Sequence, residues 1–406
     1  MIELREAAHY VSDKIDVSFL KTEEYITTNN MIPNRGGVVD CESLPQASRV
    51  TRYEPGDILI SNIRPYFKKI WFSDRISGCS NDVIVFRTNN DNWNEKFLYY
   101  VLSQDSFFDF MMAGSNGTKM PRGNKKTIPE FLIPDFDINK QIRIANILSA
   151  YDTLIENNKK QIKLLEEAAQ RLYKEWFVDL RFPGYEDVEI VDGVPEGWEN
   201  VPLRNMISFD IGGGWGEENI KEKSEKPAYV IRGTDLYGII HGDMSSIPFR
   251  YHTASNRSSR ILQDGDIVFE VSGGSKTEGV ARTLLIRKEI LELYDSPVIC
   301  ASFCKLVRVT DLSYSQYMYD TFQFLRSSGK TTEFDKKSAS SIVNYRWKDF
   351  LAQQNVLVPP HSILDTYNGL AESLYYQIIS HSKQIESLRN ARDRLLPKLM
   401  SGEVEV

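Results

Sequence analysis

The sequence predicts an α+β protein in which two pseudo-repeated globular units are separated by two long antiparallel coiled-coil helices. Three observations support this prediction. One segment has the apolar spacing of a coiled-coil helix, and a similar segment recurs 223 residues later. Short β-like runs that precede the first segment also recur before the second. The chain of 406 residues is long enough for two such halves.

The first long helix is predicted from Asn139 to Phe177. Its apolar residues recur at steps of four and three, which is the heptad spacing of a coiled-coil seam. The seam residues assigned to the helix-pair interface are Leu148, Ile155, Ile162, Leu165 and Leu172. Asn158 occupies one seam position, and a single polar residue there commonly fixes helix register. A helix of about 39 residues would be roughly 58 Å long, because each residue adds 1.5 Å.

The second long helix repeats the first. Its seam residues are Leu374, Ile378, Ile385, Leu388 and Leu395, and His381 falls where Asn158 falls. The matched polar positions indicate that the two copies pair with each other. Two unrelated surface helices with similar composition are the alternative, but the repeat extends beyond the helices.

The globular units share landmarks at their strands. Gly56-Asp57-Ile58 enters a predicted strand in the first unit, and Gly265-Asp266-Ile267 does so in the second. Leu132-Ile133-Pro134 and Leu357-Val358-Pro359 precede the two long helices. The predicted divisions are a first globular domain at 1–134, a central helix at 135–178, a linker at 179–197, a second globular domain at 198–359 and a C-terminal helix at 360–406.

Composition and charge give broad limits. Hydrophobic residues make up 41% and charged residues 26% of the chain, as in an ordinary soluble protein. No apolar run is long enough to cross a membrane and the N-terminus is not a signal peptide, so we expect a cytoplasmic protein with no membrane partner. The net charge of −7 argues mildly against nucleic acid. Phosphate contact needs only a local basic surface, however, so the local pattern has to decide.

Catalytic and metal-binding patterns are missing from the sequence. The five histidines share no metal-ligand spacing with each other or with the four cysteines. Cys300 and Cys304 lie in an alternating run, 298–309, which predicts one strand with both thiols on the same face. Gly329-Lys330-Thr331 ends like a phosphate-binding loop, but the required earlier glycine is replaced by Phe324. These absences argue against a self-sufficient enzyme, although catalytic groups can be scattered along a chain, and we assign no catalytic residue, metal ligand or cofactor to this sequence.

Basic and small polar residues recur on predicted loops of both units. Lys and Arg neutralise phosphates, while Arg, Asn and Ser can read base edges in the major groove. The candidate DNA-binding residues are Arg35, Ser61, Asn62, Arg64, Lys68, Lys119, Arg122, Lys125, Arg232, Ser272, Gly273, Ser275, Lys276 and Lys330. Any one of these lysines could simply be solvated on a loop, but as a set in two units they favour DNA binding.

Together these features resemble the specificity subunit of type I restriction-modification systems. Members of that family consist of two target-recognition domains separated by two conserved helices, in the order found here. The resemblance spans essentially the whole chain. It rests on Trp198 with Leu203, the Gly-Asp-Ile strand entries, Ser272-Gly273-Gly274-Ser275, and the end of the second helix, Arg394-Leu395-Leu396-Pro397-Lys398-Leu399-Met400-Ser401-Gly402-Glu403. Pro397 is expected to break or kink that helix before its seam ends.

The resemblance implies a non-catalytic subunit that binds double-stranded DNA. Each globular domain would bind one half of an asymmetric bipartite target. The helix pair would set the half-site spacing and dock two methyltransferase subunits, which carry S-adenosylmethionine. Restriction subunits that use ATP with Mg²⁺ would join this complex. The alternatives are a self-sufficient DNA-modifying or cleaving enzyme, and a coiled-coil scaffold that binds only proteins.

Overall fold

The computed structural model describes residues 1–115, 117, 119–243, 247–273, 279–337 and 342–406. Contacts divide the chain into two compact units. Unit 1 comprises Met1–Leu154 and Leu388–Val406, and unit 2 comprises Ile155–Ser387. Both units combine strands with helices, which confirms the α+β prediction. None of the helices in the described part of the chain has the length and apolarity that a membrane crossing requires.

Unit 1 begins with short strands and three short helices, and the chain then enters a long helix. A four-stranded antiparallel sheet has the order β2-β8-β5-β6, and a three-stranded antiparallel sheet has the order β3-β4-β7. The elements are β1 (Ile2–Glu3), α1 (Leu4–Ala7), β2 (Ala8–Tyr10), β3 (Lys14–Asp16), β4 (Arg49–Tyr53), β5 (Ile58–Ser61), β6 (Ile70–Phe72), β7 (Ser77–Cys79), β8 (Val83–Thr88), α2 (Glu95–Leu102), α3 (Asp105–Ala113), β9 (Leu132–Ile133) and α4 (Ile138–Tyr173).

Unit 2 contains further short strands and helices before the second long helix. Its four-stranded antiparallel sheet has the order β13-β20-β16-β18, and its two three-stranded sheets are β15-β14-β19 and β17-β22-β21. The elements are β10 (Ile190–Val191), β11 (Val194–Pro195), β12 (Glu199–Pro202), β13 (Ile207–Gly212), β14 (Lys226–Ile231), α5 (Asp235–Ile240), β15 (Phe249–His252), α6 (Ala254–Ser258), β16 (Ile267–Glu270), β17 (Ser272–Gly273), β18 (Thr283–Leu285), α7 (Lys288–Leu291), β19 (Val298–Cys300), β20 (Cys304–Val309), α8 (Ser315–Ser327), β21 (Asp335–Lys337), β22 (Val343–Tyr345), α9 (Trp347–Gln353), β23 (Asn355–Val358) and α10 (His361–Ser401).

The two four-stranded sheets have the same strand order and the same ion pair between a buried aspartate and a partly exposed arginine. Asp57, in the turn before β5, accepts two hydrogen bonds from Arg87 at 2.7 and 2.8 Å. Asp266, in the turn before β16, accepts two from Arg308 at the same two distances. Gly56 and Gly265 precede these carboxylates at φ +91° and +84°, a backbone conformation that favours glycine. The turn and strand repeat predicted from the sequence is therefore confirmed.

The two long helices are α4 and α10. Lys174–Val178 extends α4 as a π-helical turn, so the predicted helix from Asn139 to Phe177 is close to the observed one. The expected break at Pro397 is wrong, because α10 continues through it to Ser401. Leu399 and Met400, beyond the proline, are buried in the core of unit 1. This packing offsets the hydrogen bond that the proline nitrogen cannot donate.

The prediction of one strand across residues 298–309 is also wrong. Cys300 ends β19, which pairs with β14, whereas Cys304 begins β20, which pairs with β13 and β16. A turn in which the Cys304 N–H donates to the Ala301 carbonyl at 2.8 Å separates the strands. Both strands are largely buried, so their apolar pattern did not reveal the crossing from one sheet to another.

Candidate nucleic-acid interface

In unit 1, the end of β5 lies beside a second basic segment. Ile63 forms an antiparallel bridge with Arg122. The Arg64 N–H donates to the Pro121 carbonyl at 2.8 Å, and the Gly123 N–H donates to the Asn62 carbonyl at 3.1 Å. The structure therefore brings together the two segments that the sequence singled out separately, 61–69 and 119–126.

The residues that follow β5 form a tight turn. Ser61 and Asn62 are buried, and the Ser61 hydroxyl donates to the Ile63 carbonyl at 3.0 Å. Arg64 and Lys68 both have φ +51°, on either side of a short 3₁₀ turn, Pro65–Phe67. The Nε of Arg64 is buried and makes no hydrogen bond within the described residues. The turn thus fixes the backbone of Arg64.

Arg35 and Lys68 share one carboxylate. The Lys68 ammonium lies 2.8 Å from Oδ1 of Asp105, at the start of α3, and the Arg35 guanidinium donates to the same oxygen and to the Ser103 carbonyl. The Lys68 hydrogen bond, followed by that of Arg35, holds the pKa of Asp105 below its usual value. These two cations are partly neutralised, so a phosphate would gain less from them than from an unpaired cation.

The remaining unit 1 candidates lie at the surface. Lys119 is exposed on a turn. Arg122 forms an ion pair with Asp82 at 3.3 Å, and the Lys125 ammonium donates to the Asn81 carbonyl at 3.3 Å.

In unit 2, the corresponding edge is a small three-stranded sheet. Ser272 in β17 pairs with Asn344 in β22, and Asn344 pairs with Lys336 in β21. Directly opposed residues of antiparallel strands project from the same face, so these three side chains form one polar row. Asn344 and Lys336 are exposed, whereas Val343 and Tyr345, on the opposite face of β22, are buried. The Ser272 hydroxyl donates to Oδ1 of Asn344 at 2.8 Å.

The other unit 2 candidates lie in different settings. Arg232 donates to Asp235, with its Nη2 2.7 Å from Oδ1, so its guanidinium is paired with the carboxylate at the start of α5. Gly273 ends β17 at φ +120°. Lys330 is exposed, with its Nζ 6.0 Å from the ring centre of Phe324. Ser275 and Lys276 lie outside the described residues.

Sequence reasoning missed Asn344 and Phe303 at this edge. The Phe303 carbonyl accepts hydrogen bonds from the N–H groups of Val271 and Ser272 at 2.9 and 3.1 Å, and the residue is 55% exposed. The alternation of Val343, Asn344 and Tyr345 could have indicated an outward Asn, but a three-residue strand is too short for periodicity to be convincing.

The predicted helix-pair residues lie along both long helices. In unit 1, Leu148 is buried in one cluster with Leu396, Leu399 and Met400, while Leu388 and Leu395 are partly buried. The unit 2 residues Ile155, Ile162, Ile378 and Ile385 are buried, and Leu165, Leu172 and Leu374 are partly buried. Asn158 Oδ1 lies 2.6 Å from His381 Nδ1, so the two matched polar positions contact each other. Within unit 2, Trp176 farther along α4 packs on Tyr367 earlier in α10, which shows that the helices run antiparallel there.

The globular part of each unit is also bonded to a long helix. In unit 1, Asp152 of α4 accepts hydrogen bonds from Tyr100 of α2 and Arg392 of α10, at 2.5 Å in each case. In unit 2, Asp320 of α8 accepts from Tyr367 of α10 at 2.7 Å and from Gln316 at 3.0 Å.

Apolar side chains also line a shallow groove on α4 in unit 2. Leu164, Ala168 and Leu172 recur at intervals of four residues, which places them on one face of the helix. Leu164 is 58% exposed. Charged residues flank them, with Glu167 and Arg171 in the same groove.

No cluster of three or more His, Cys, Asp or Glu side chains suited to a metal ion occurs among the described residues.

The known proteins that this chain resembles belong to type I restriction-modification systems. A family model described as the type I restriction modification DNA specificity domain matches residues 43–167. The type I restriction enzyme MjaIX specificity subunit of Methanocaldococcus jannaschii is 28% identical over 320 residues, which cover 77% of this chain and 69% of that protein. The HindI specificity subunit of Haemophilus influenzae is 27% identical over 187 residues, which cover 43% of this chain and 40% of that protein.

A solved structure shares the fold. The S subunit of a type I restriction-modification system from M. genitalium superposes with a TM-score of 0.51 at 15% identity. The superposition covers 98% of this chain and 99% of that one.

Proposed function

Because this chain belongs to the family of type I restriction-modification specificity subunits, we propose that it selects DNA sequences and performs no catalysis itself. The resemblance noted in the sequence is confirmed by the family model and the relatives. Each globular domain binds one half of an asymmetric bipartite target in double-stranded DNA.

The main support for this proposal is that the two units share a four-stranded sheet but differ in the polar residues beside that sheet. Both units hold the same four-stranded sheet with the same Asp–Arg pair. Next to it, unit 1 places Arg122 beside Asp82, whereas unit 2 places Asn344 beside Ser272. Two copies of one scaffold with different polar side chains at one edge suit the recognition of two different half-sites.

The helix pair sets the distance between the half-sites in this proposal. The 36 residues of α4 correspond to about 54 Å of helix, which exceeds one DNA turn of about 34–36 Å. The contact between Asn158 and His381 supports this role, because a polar pair at a seam fixes helix register.

The partner proteins in this proposal are two methyltransferase subunits and the restriction subunits. S-adenosylmethionine is bound by the methyltransferase, and ATP with Mg²⁺ by the restriction subunits. The apolar groove on α4 supports the docking of a methyltransferase helix, because Leu164 and Ala168 are exposed there. The complex acts in the cytoplasm, where duplex DNA is available to it.

Docking at this groove can be tested by a charge substitution. Leu164→Glu should abolish copurification of the methyltransferase subunit, because it places a carboxylate in an apolar contact. Lys163→Glu is the matched control, since Lys163 is an exposed neighbour and its charge change is larger. Equal retention of the methyltransferase by both variants would exclude the groove.

DNA recognition can be tested with a duplex library randomised over the length of the expected target. The full chain should enrich one sequence with two specified parts and an unspecified gap. Enrichment of no sequence, or of one continuous block, would contradict the proposal.

Incubation of the purified chain with DNA and either S-adenosylmethionine or Mg²⁺ tests the enzyme alternative, because turnover without a partner would exclude a non-catalytic role.

A further inference from the structure

The two units present structurally equivalent positions at the edge beside the four-stranded sheet. In unit 1, the Asn62 N–H donates to the Asp82 carbonyl, and in unit 2 the Val271 N–H donates to the Phe303 carbonyl. The next residue pairs with a second segment in both units, Ile63 with Arg122 and Ser272 with Asn344. Arg122 and Asn344 therefore occupy equivalent positions.

Asn344 is held in a fixed orientation. Its Oδ1 accepts a hydrogen bond from Ser272, and no other side-chain bond to Asn344 is formed within the described residues. An amide oxygen has two lone pairs and the amide nitrogen two donors, so one acceptor site and both donors remain for a ligand. The side chain is exposed, so DNA can reach these atoms.

The neighbours of Asn344 suit a nucleic-acid ligand. Lys336 lies directly across from it on the same face and is exposed, which places a phosphate-binding cation beside it. Phe303 lies next to Ser272 and is an exposed apolar residue, which suits contact with a thymine methyl group.

Arg122 has a different neighbour at the position that corresponds to Phe303. Asp82 lies 3.3 Å from its guanidinium, in an exposed ion pair that leaves the other N–H groups of Arg122 available to a base. Asn pairs bidentately with the N6 and N7 atoms of adenine, whereas Arg pairs bidentately with the O6 and N7 atoms of guanine.

We infer that Asn344 and Arg122 are equivalent base-reading residues, of which Asn344 selects an adenine in one half-site and Arg122 a guanine in the other. This inference rests on the proposed function. The inference adds to the proposed function the identity of two specificity-determining side chains and of the bases that they select.

The test compares the sequence preference of the full chain and its variants in a randomised duplex library. Asn344→Ala should reduce the preference for adenine at one position of one half-site by about 5- to 150-fold and leave the other half-site unchanged. Arg122→Ala should do the same for a guanine in the other half-site. Lys336→Ala is the matched control in unit 2, and it should weaken binding to all sequences without a change of preference.

A second substitution separates recognition from folding. Asn344→Asp retains an acceptor for the Ser272 hydroxyl but removes the amide donor, so it should lose the adenine preference with an unchanged melting temperature. An unaltered preference in both Asn344 variants would overturn the inference, as would relaxation at a base other than adenine. Failure of the wild-type chain to select any two-part sequence would instead overturn the proposed function.

Discussion

Unit 1 and unit 2 are alike at the sheet and different at its edge. The paired carboxylates Asp57 and Asp266 are each about 1% exposed and accept bonds of the same lengths from Arg87 and Arg308. Each also accepts a third bond at 2.7 Å, from a backbone N–H three residues earlier. The repeated part of the sequence therefore specifies the framework, and the segments without a visible repeat carry the differences.

The two units also differ in how they bond to the long helices. Asp152 in unit 1 is paired with the charged side chain of Arg392, whereas Asp320 in unit 2 receives bonds from neutral Tyr367 and Gln316. Burial raises the pKa of Asp320 to about 7, while its hydrogen bonds oppose the increase. One junction therefore depends on an ion pair, and the other on a carboxyl group that titrates near neutral pH.

The largest expected effect tests whether the framework is equivalent in the two units. Asp57→Ala and Asp266→Ala should each lower the free energy of unfolding by about 3 kcal/mol, because each leaves an arginine without its buried carboxylate. Chemical denaturation of the full chain measures this change. Asp109→Ala, at an exposed site on α3, should have little effect. A large loss of stability in one of the two variants and none in the other would show that the two ion pairs are not equivalent.

A smaller, pH-dependent effect should distinguish the two junctions. The pKa of Asp320 is raised in the folded state, so the folded protein retains a proton that the unfolded chain releases above about pH 4. The free energy of unfolding therefore falls as pH rises from about 4 to 7, and remains lower above 7. Asp320→Asn cannot ionise and should gain about 2 kcal/mol relative to wild type between pH 5 and 8.

Asp152→Asn is the comparison for that measurement. It removes the charge that pairs with Arg392, so it should destabilise unit 1 without a stability gain relative to wild type at pH 8. Thermal unfolding at a series of pH values measures both variants. A pH-independent difference between Asp320→Asn and wild type would show that Asp320 does not titrate in this range.

The smallest effect concerns phosphate contacts, which should be alike in the two units. Lys119→Ala and Lys336→Ala should each reduce the slope of log affinity against log salt by about 1, because each removes one cation at an edge proposed to face DNA. Affinity measurements over a range of salt concentrations provide this slope. Lys163→Ala, on the exposed face of α4, is the control. An unchanged slope for the Lys119→Ala or Lys336→Ala variant would show that the substituted lysine does not contact a phosphate.

The sequence predicted the features that depend on regular spacing. The heptad seam located both long helices, and the matched positions of Asn158 and His381 predicted that these helices pair, which the contact between the two side chains confirms. The Gly-Asp-Ile repeat located the turns before β5 and β16. These features were predictable because helix period, left-handed glycines and strand entry leave local signals.

Other features depend on tertiary contacts and could not be predicted. Pro397 lies inside α10 because the residues after it are buried in unit 1. The polar row of unit 2 depends on the pairing of three short strands. Ser272 in β17 lies more than 60 residues before Lys336 in β21 and Asn344 in β22. Arg35 and Lys68 share the carboxylate of Asp105, which lies on α3 and is distant from both in sequence, so the sequence could not show this pairing.

A genome-wide map of methyladenine in the source cell, with and without this gene, tests the central claim most directly. Two units with one framework and different edges predict methylation at one asymmetric, two-part sequence that disappears when the gene is deleted. An identical map in the presence and absence of the gene would contradict the claim that this chain selects the DNA sequence.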